Sequence, residues 1–489
     1  MNIKQRPLYK TIPAGSEIIF VVEDTAVVTN YKGKYVADVY ISQDAATIGT
    51  AALPTTTLKV NPNNHGVGIF DFGNILDNYV HPDYEGGVAT FTNISTNKSE
   101  FKTNAHSVDF PHAIHTIDEF SSNQNSCRYV LIRFYIEYAL SMTDAVEIDI
   151  SDIKESNKLL IWNGTLDWTD HLWRAKGNYG YPLSRTTDNQ QSLLLGGSAL
   201  GRFMTNCPLK QYVREKDFMT LPFFNNLTTA SHSFQTAIAS MIVKFYLYSS
   251  PSSIFSSASV INNGGAYFGL GLDSNLHIQY YGCGPGNYVN AGFPIPASWD
   301  YYTVEARDKT GGIYSAPYEF HKQQEDCKGF ETIRLTWLNK WGGWDYYNFT
   351  KKSIRATNRK PLHYNQYGGT WNSKEYSIYG WKGGKRVVSG VVSEDITINS
   401  DFILESEAKW LEELFVSSDV FILNENEVTD SYGNINDHPY ANYTGYHQKY
   451  VEPVIVKSTT NIRKTKANDK LIQYSIDLTR SKPKRIHKG

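Results

Sequence analysis

The feature that most constrains the fold of this chain is a repeated alternation of apolar and polar residues with a period of two. In Arg128–Ala139, which reads RYVLIRFYIEYA, one face carries Val130, Ile132, Phe134 and Ile136. Alternation of β-branched and aromatic residues predicts half-buried strands. Similar runs occupy Glu17–Val28, Lys34–Ile41, Met241–Tyr248 and Tyr301–Ala306. Clusters of Gly, Asn, Pro and Ser separate the runs, so we predict a mainly β, multi-domain fold of sandwich or barrel units.

One amphipathic helix is predicted over residues 404–416. Its apolar residues at helical spacing are Leu404, Ala408, Leu411 and Phe415, and its outer face carries Glu405, Lys409, Glu412 and Glu413. Asp401 or Ser406 is the expected N-cap. Because such a helix must cover its apolar stripe, we expect it to pack on a sheet formed by the strands on both sides of it.

The length of 489 residues predicts two to four domains. We divide the chain into an N-terminal β-rich domain (1–150), a central β-sandwich domain (151–345) and a C-terminal β-barrel or sandwich with the helix (346–489). A Ser-rich run, Ser249–Ser259, is flanked by predicted strands, which favours a loop inside one domain over a linker.

Charge and hydropathy argue against several partners. The net charge of −2 provides no strong field for nucleic acid or anionic lipid, so we expect no specific nucleic-acid binding. No stretch approaches the roughly 18 apolar residues that would span a bilayer. The apolar run Ile18–Val22 is too short for a secretion signal and is closed by Glu23 and Asp24. We therefore expect synthesis in a cytoplasm.

The cysteines fit the same compartment. Cys127, Cys207, Cys283 and Cys327 lie far apart and form no C-x-x-C pair, which argues against a zinc ribbon or a redox motif. Scattered, reduced thiols are typical of cytoplasmic synthesis.

The densest aromatic segment is Glu331–Phe349, which reads ETIRLTWLNKWGGWDYYNF. Its double glycine predicts a hairpin turn between two short strands. Large aromatic side chains around one turn make either a stiff corner or an adhesive surface. The residues to which we assign this structural or interface role are Trp337, Trp341, Gly342, Gly343, Trp344 and Tyr347. The sequence leaves open whether Trp341 and Trp344 point into the fold or at a neighbouring subunit.

A second candidate interface is the long polar loop Asn424–Tyr450. It includes Tyr440, Tyr443 and Tyr446 among Asn, Asp and Gly residues. This composition is typical of adaptable contact surfaces, and loops of this length are often functional. The alternatives are a plain hairpin tip and a sugar-binding loop.

Polar clusters give little support for catalysis. The first contains His106, Asp109, His112, His115 and Asp118. Pro111 argues against a helix there, and the glutamate of the H-E-x-x-H zinc motif is missing. The second contains Asp167, Asp170 and His171, which suit acid–base chemistry but equally suit a capped turn held by neighbouring tryptophans.

Glycine-rich segments do not match catalytic or phosphate-binding loops. Gly196–Gly201 lacks the serine-elbow pattern because position 200 is leucine. Gly282–Gly286 contains Pro285 and is not followed by Lys-Ser or Lys-Thr, so it is not a phosphate loop. Both predict tight turns. We therefore predict no catalytic residue, no metal site, no cofactor and a protein that is not an enzyme.

The Trp-rich segment LTWLNKWGGWDYYNF resembles a segment in structural proteins of tailed bacteriophages, notably podophages of the crAss-like group and marine relatives. Further similar segments read IIFVVED, SEAKWLEELFVSSDV, EPVIVKS and NDKLIQYSIDL. The resemblance implies a tail-hub or ring protein of the tail or neck, with a β-barrel or sandwich that carries one helix. It brings no catalytic residues.

The implied partners are other tail and neck proteins and further copies of the chain in a homo-oligomeric ring. The implied location is the virion tail, after synthesis in the cytoplasm of a bacterial host. The main alternative is a carbohydrate-binding or glycan-degrading tail module. A cell-surface binding protein of the host is a second alternative.

Overall fold

A computed structural model describes most of the chain. The described residues are 1–7, 11–44, 46–50, 53–85, 113–117, 120–122, 125–165, 192–193, 202–226, 238–250, 252–260, 276–290, 293–308, 311–313, 315–323, 329–371, 374–423, 451–457, 471–482 and 484–485. Within these ranges the chain is mainly β, which confirms the predicted fold class.

The chain forms two compact units. Unit 1 comprises Met1–Gln323, Leu338–Asp345 and Tyr432–Gln448, and unit 2 comprises Gln324–Trp337, Tyr346–Ser431 and Lys449–Gly489. The first two regions named from the sequence thus lie mostly in unit 1. Strand pairing also crosses residue 150, since Leu160–Trp162 pairs with Thr11–Pro13 and with the strand that begins at Cys127.

Among the described residues, unit 1 contains eighteen strands. They are β1 (Asn2–Gln5), β2 (Thr11–Pro13), β3 (Ile19–Glu23), β4 (Tyr31–Ser42), β5 (Thr56–Val60), β6 (Val67–Asp71), β7 (Phe120–Ser122), β8 (Cys127–Ala139), β9 (Glu147–Glu155), β10 (Leu159–Trp162), β11 (Ser192–Leu193), β12 (Lys210–Val213), β13 (Thr220–Asn226), β14 (Ile238–Tyr246), β15 (Phe255–Val260), β16 (Leu276–Gly282), β17 (Tyr301–Asp308) and β18 (Tyr318–Lys322).

These strands form four sheets with the orders β1-β3-β6, β2-β10-β8-β4-β5, β11-β13-β16-β7 and β12-β18-β17-β14-β15, and β9 pairs with β8 at the border of the second sheet. The predicted buried face of β8 is confirmed at Val130, Ile132, Phe134 and Ile136. The strand is not half-buried as predicted, because Tyr129, Leu131 and Glu137 on its other face are buried too. Phe134 meets the rings of Phe20 and Phe72 in a core shared by the first two sheets. The predicted Ser-rich loop is only partly correct, because its second half, residues 255–259, lies in β15, which pairs with β14.

Among the described residues, unit 1 also contains three short helices and two 3₁₀ turns. The helices are α1 (Thr25–Thr29), α2 (Gly73–Leu76) and α3 (Pro285–Asn290), and the 3₁₀ turns are Asp77–Tyr79 and Ile114–Thr116. The run Glu17–Val28 was predicted to be one strand, but only β3 is extended. The Asp24 side chain accepts a hydrogen bond from the Ala26 N–H at 2.8 Å, which caps α1 and ends the extended run.

Unit 2 is built on one large sheet. Its strands are β19 (Ile333–Leu338), β20 (Trp344–Phe349), β21 (Ile354–Gln366), β22 (Gly384–Asn399), β23 (Ile403–Leu404), β24 (Val420–Leu423), β25 (Val451–Val456), β26 (Leu471–Ile472), β27 (Ser475–Arg480) and β28 (Lys484–Arg485). The sheet order is β20-β19-β24-β25-β27-β22-β21, with β28 also on β22, and β23 pairs with β26.

Two consecutive helices, α4 (Glu405–Leu411) and α5 (Glu413–Val416), stand where one helix was predicted. The predicted stripe is partly wrong. Ala408 and Leu411 are buried, but so are Trp410 and Leu414, while Leu404 is exposed and Glu413 is buried instead of facing outward. Trp410, Leu411 and Leu414 recur at helical spacing, so the buried stripe lies on a different face from the one predicted.

The predicted N-caps of this helix are also wrong. Leu404 occupies the N-cap position, and its N–H donates to the Glu407 carboxylate at 2.9 Å. Asp401 instead accepts a hydrogen bond from the Thr350 hydroxyl at 2.9 Å and pairs with Lys351 at 2.8 Å. Extended backbone at residue 404 therefore starts the helix after both Asp401 and β23.

The middle of the β21–β22 hairpin is a two-stranded ribbon, which we call the arm and define as residues 359–390. Within it, β21 and β22 pair only with each other among the described residues, whereas further along β22 pairs with β28 and β27. Side chains are exposed on both faces of the ribbon. The arm therefore has no covering layer in the described part of the chain.

Candidate functional site

The Trp-rich segment forms the predicted hairpin, with β19 and β20 as its strands and residues 339–343 as its turn. Gly342 has φ +80°, a left-handed conformation that glycine adopts without strain. The Gly342 N–H donates to the Asn339 carbonyl at 3.0 Å, and the Asn339 N–H donates to the Gly343 carbonyl at 2.8 Å. The turn belongs to unit 1, and most of both strands belongs to unit 2.

Asn339 organises the turn through both ends of its buried side chain. Its Oδ1 accepts hydrogen bonds from the backbone N–H groups of Trp341 and Gly343, each at 3.0 Å. Its Nδ2 donates to the Met204 carbonyl at 3.1 Å and to the Asp345 carboxylate at 3.0 Å. One amide thus satisfies the turn backbone and joins it to another segment of unit 1.

Asn339→Ala should lower the free energy of unfolding by about 2 kcal/mol, because the buried Gly343 N–H, the part-buried Trp341 N–H and the Met204 carbonyl lose a hydrogen bond. Urea unfolding followed by tryptophan fluorescence measures this loss. Asn365→Ala, at an exposed position on the arm, is the matched control and should change stability by less than about 0.5 kcal/mol. Equal stability of the Asn339 variant and the wild type would contradict the role of this amide.

Trp344 lies in the interior of unit 1. Only 1% of the residue is exposed, and its indole N–H donates to the Asp83 carbonyl at 3.0 Å. The His115 ring meets the indole edge to face, with ring centroids 5.0 Å apart. Trp344 therefore anchors the turn. The sequence left its orientation open, and the structure shows that it points into the fold.

Asp83 is a fully buried carboxylic acid beside this anchor. Its Oδ2 accepts hydrogen bonds from the Ser126 hydroxyl at 2.8 Å and the Tyr280 hydroxyl at 3.4 Å, whereas Oδ1 has no hydrogen-bond partner within the described part of the chain. Removal from water raises the pKa of Asp83 to about 7, despite the opposing effect of these hydrogen bonds and of Arg128. The same burial, together with the charge of Asp83, raises the pKa of Cys127 to about 12.

Close packing surrounds the rest of the turn. Trp341 is half-buried, and its indole N–H donates to Asn206 Oδ1 at 3.2 Å. A Cβ at Gly342 would overlap the carbonyl oxygen of Asn163, and a Cβ at Gly343 would overlap the Pro222 ring. Both glycines are therefore required for close approach, and Gly342 also for its backbone conformation.

Within unit 2, the hairpin strands pack on α4. Trp337 is fully buried, with its ring centroid 5.3 Å from that of Trp410, and Tyr347 lies 6.1 Å from the same ring. The Tyr347 hydroxyl accepts a hydrogen bond from the Asp401 N–H at 3.2 Å. Burial, reinforced by the charge of Asp401, raises the pKa of Tyr347. The sheet that the helix covers thus includes the Trp-rich strands.

Buried polar residues that the sequence analysis did not identify connect distant segments of unit 1 through hydrogen bonds. Besides Asp83 and Asn339, Asn287 is fully buried at the start of α3. It accepts a hydrogen bond from the Met219 N–H at 2.9 Å and donates to the Ile117 carbonyl at 2.7 Å. The sequence signal available for Asn339 was its place just before Gly342 and Gly343. Asp83 carries no comparable local signal, because its partners Ser126 and Tyr280 are distant in sequence. Asn287 accepts one local hydrogen bond, from the Gly284 N–H, but its other partners are distant.

Several sequence candidates lie outside the described residues. They are Tyr440, Tyr443 and Tyr446 of the long loop, His106, Asp109, His112 and Asp118 of the first polar cluster, and Asp167, Asp170 and His171 of the second. The Gly196–Gly201 segment lies outside them too, whereas Gly282–Gly286 joins β16 to α3. His115 is buried against Trp344. The described residues include no group of three or more His, Cys, Asp or Glu arranged to hold a metal ion.

Comparison of the chain with protein-family models finds no match, and neither does a search of curated proteins. None of the helices in the described ranges is long and apolar enough to cross a membrane.

Proposed function

We propose that this chain is a structural component of a tailed bacteriophage virion, a ring-forming tail hub or neck protein that acts through assembly and not as an enzyme. Its partners are other tail and neck proteins and further copies of itself, and its location is the virion tail. The resemblance of the Trp-rich segment supports the class of protein. The observation that carries the assembly role is the uncovered arm.

A two-stranded ribbon without a covering layer is marginally stable in water, so the arm gains stability by packing on a partner. It also exposes large apolar side chains: Leu362, Tyr364, Tyr367, Trp371, Tyr376, Ile378, Tyr379, Trp381 and Val388. Exposed apolar groups of this extent mark interaction sites. The Trp-rich turn, in contrast, is packed against other segments of unit 1, with Trp344 as its buried anchor.

Mass spectrometry of purified virions tests this proposal. We expect the chain in intact particles at a constant ratio to the major capsid protein, and we expect immunogold labelling of the tail or neck in negative-stain images. A non-structural protein encoded by the same phage is the control for carry-over from the lysate. Absence of the chain from purified particles would refute the proposed function.

One observation favours the alternative of a carbohydrate-binding tail module. Trp371 and Trp381 are 69% and 67% exposed on the arm, as aromatic rings that stack on sugars must be. Trp344 cannot serve this purpose because it is buried. A glycan array with the purified chain separates the two functions, and binding that disappears in Trp371→Ala and Trp381→Ala would favour the sugar-binding alternative.

A further inference from the structure

The arm is basic as well as aromatic. Residues 359–390 contain six basic side chains, namely Arg359, Lys360, Lys374, Lys382, Lys385 and Arg386, and one acidic side chain, Glu375. Lys382 lies over the rings of Tyr379 and Trp381, 5.1 Å from each centroid. Where the structure describes the chain, Arg359, Lys360, Lys374 and Lys385 are exposed and make no ion pair. The arm therefore presents an uncompensated positive charge beside its apolar rings.

Unit 1 carries a surface of opposite charge, which we call the acidic border and define as residues 140–155. It consists of β9 and the segment that leads into it, and it contains five acidic side chains, namely Asp144, Glu147, Asp149, Asp152 and Glu155, with one basic side chain, Lys154. Among the described strands β9 pairs only with β8, so its outer edge is unpaired.

The acidic border is also apolar. Its exposed apolar side chains are Leu140, Met142, Val146, Ile148 and Ile153. An exposed edge strand with apolar side chains is a surface on which another chain can pack. The border thus offers the same combination as the arm, apolar contact area with charge of one sign, and the sign is opposite.

Local partners neutralise only one end of the acidic border. Asp152 pairs with the Met1 amino group and with Lys154, and Glu155 pairs with Arg133 at 2.7 Å. At the other end, Lys32 donates to the main-chain carbonyl of Asp144, not to its carboxylate. The negative charge available to a partner is therefore concentrated at Asp144, Glu147 and Asp149.

We propose that the arm of one copy of this chain binds the acidic border of a second copy. The inference rests on the proposed function, because a ring requires subunits that bind their own kind. Two different surfaces that complement each other make a head-to-tail contact, and such contacts close into rings when the rotation between subunits permits. Opposite charges orient the approach, and burial of the apolar side chains supplies the contact area.

Charge reversal on each surface, and on both together, tests the contact. The arm variant is Lys360→Glu with Lys385→Glu, and the border variant is Asp144→Lys with Glu147→Lys. All four positions are exposed. The control variant, Lys352→Glu with Lys409→Glu, makes the same charge change at exposed positions in unit 2 outside the arm. Sedimentation velocity of the full chain over a range of concentrations measures self-association, and circular dichroism verifies that each variant folds.

We expect each double reversal to weaken self-association at least about tenfold, and the combination of both to restore it to within about threefold of the wild type. The control should match the wild type, and wild-type association should weaken as salt rises from about 50 to 500 mM. A wild-type chain that stays monomeric at all concentrations, or a combined variant that is not rescued, would overturn the inference.

Other occupants of the arm give distinct results. If the arm variant loses affinity for a fluorescent single-stranded oligonucleotide or for an arrayed glycan while self-association is unchanged, the arm serves that ligand and the inference fails. The proposed function is judged separately by the presence of the chain in virions. If the chain is present in virions but charge reversal does not change its self-association, only the inference is refuted. If the combined charge swap restores self-association but the chain is absent from virions, only the proposed function is refuted.

Discussion

Gly342→Ala is expected to lower the free energy of unfolding of unit 1 by about 4 kcal/mol, the sum of a strained backbone and an overpacked contact. The φ of +80° disfavours any residue with a Cβ, and that Cβ would overlap the Asn163 carbonyl oxygen. The obstructing atom belongs to the main chain, so rotation of a side chain cannot relieve the clash. Urea unfolding, with hydrogen exchange to locate the loss, measures the effect.

Gly311→Ala separates the two causes. Gly311 has φ +84°, but no atom lies within 4 Å of the position that its Cβ would take. The free energy of unfolding of this control should therefore fall only by the cost of a left-handed backbone at alanine, about 1 kcal/mol. If both variants lost the same free energy, the contact with Asn163 would be irrelevant and the turn would not be anchored as described.

The second large effect concerns pH and Asp83. The wild-type protein should lose on the order of 4 kcal/mol of stability between pH 4 and pH 7, and Asp83→Asn should remove most of that loss. In the folded protein the pKa of Asp83 is about 7, against an ordinary value of 3.8. Between these pH values the unfolded chain releases a proton that the folded chain retains, so a rise in pH favours unfolding.

The contribution of neutral Asp83 to stability is therefore fully present below about pH 4. It falls as the pH rises and is fully lost above the folded-state pKa of about 7. Asparagine has the shape of the protonated acid and can still accept the Ser126 hydrogen bond. Above pH 7 the variant should be more stable than the wild type. Cys127 does not obscure the measurement, because its pKa of about 12 keeps the neighbouring thiol neutral throughout this window.

Urea unfolding at intervals of half a pH unit gives the slope for each protein. Asp77→Asn, which removes a carboxylate from an exposed position, should retain the wild-type slope. Parallel curves for wild type and Asp83→Asn would show that burial of Asp83 does not control the pH dependence of stability.

Local sequence patterns located several of the strands, the Trp-rich hairpin and the approximate place of the helix. Period-two alternation identified the buried face of β8 because neighbouring side chains of a strand point to opposite sides of a sheet. The same reasoning failed at Val27 and Val28, where the Asp24 cap starts α1. It also failed at Glu413, which is buried together with Trp410 and Leu414 instead of facing outward.

The sequence by itself determined that Gly342 and Gly343 form a turn, because two consecutive glycines between strand-like aromatic runs favour a hairpin turn. Only the tertiary structure decided that this turn is a buried part of unit 1, held by Asn339 and anchored by Trp344 beside Asp83. It also decided that a group of exposed aromatic side chains, including Trp371 and Trp381, lies on the arm. A turn depends on the conformations of a few adjacent residues, whereas burial depends on contacts between segments that are distant in the sequence, such as Trp344 and Asp83, which no local pattern encodes.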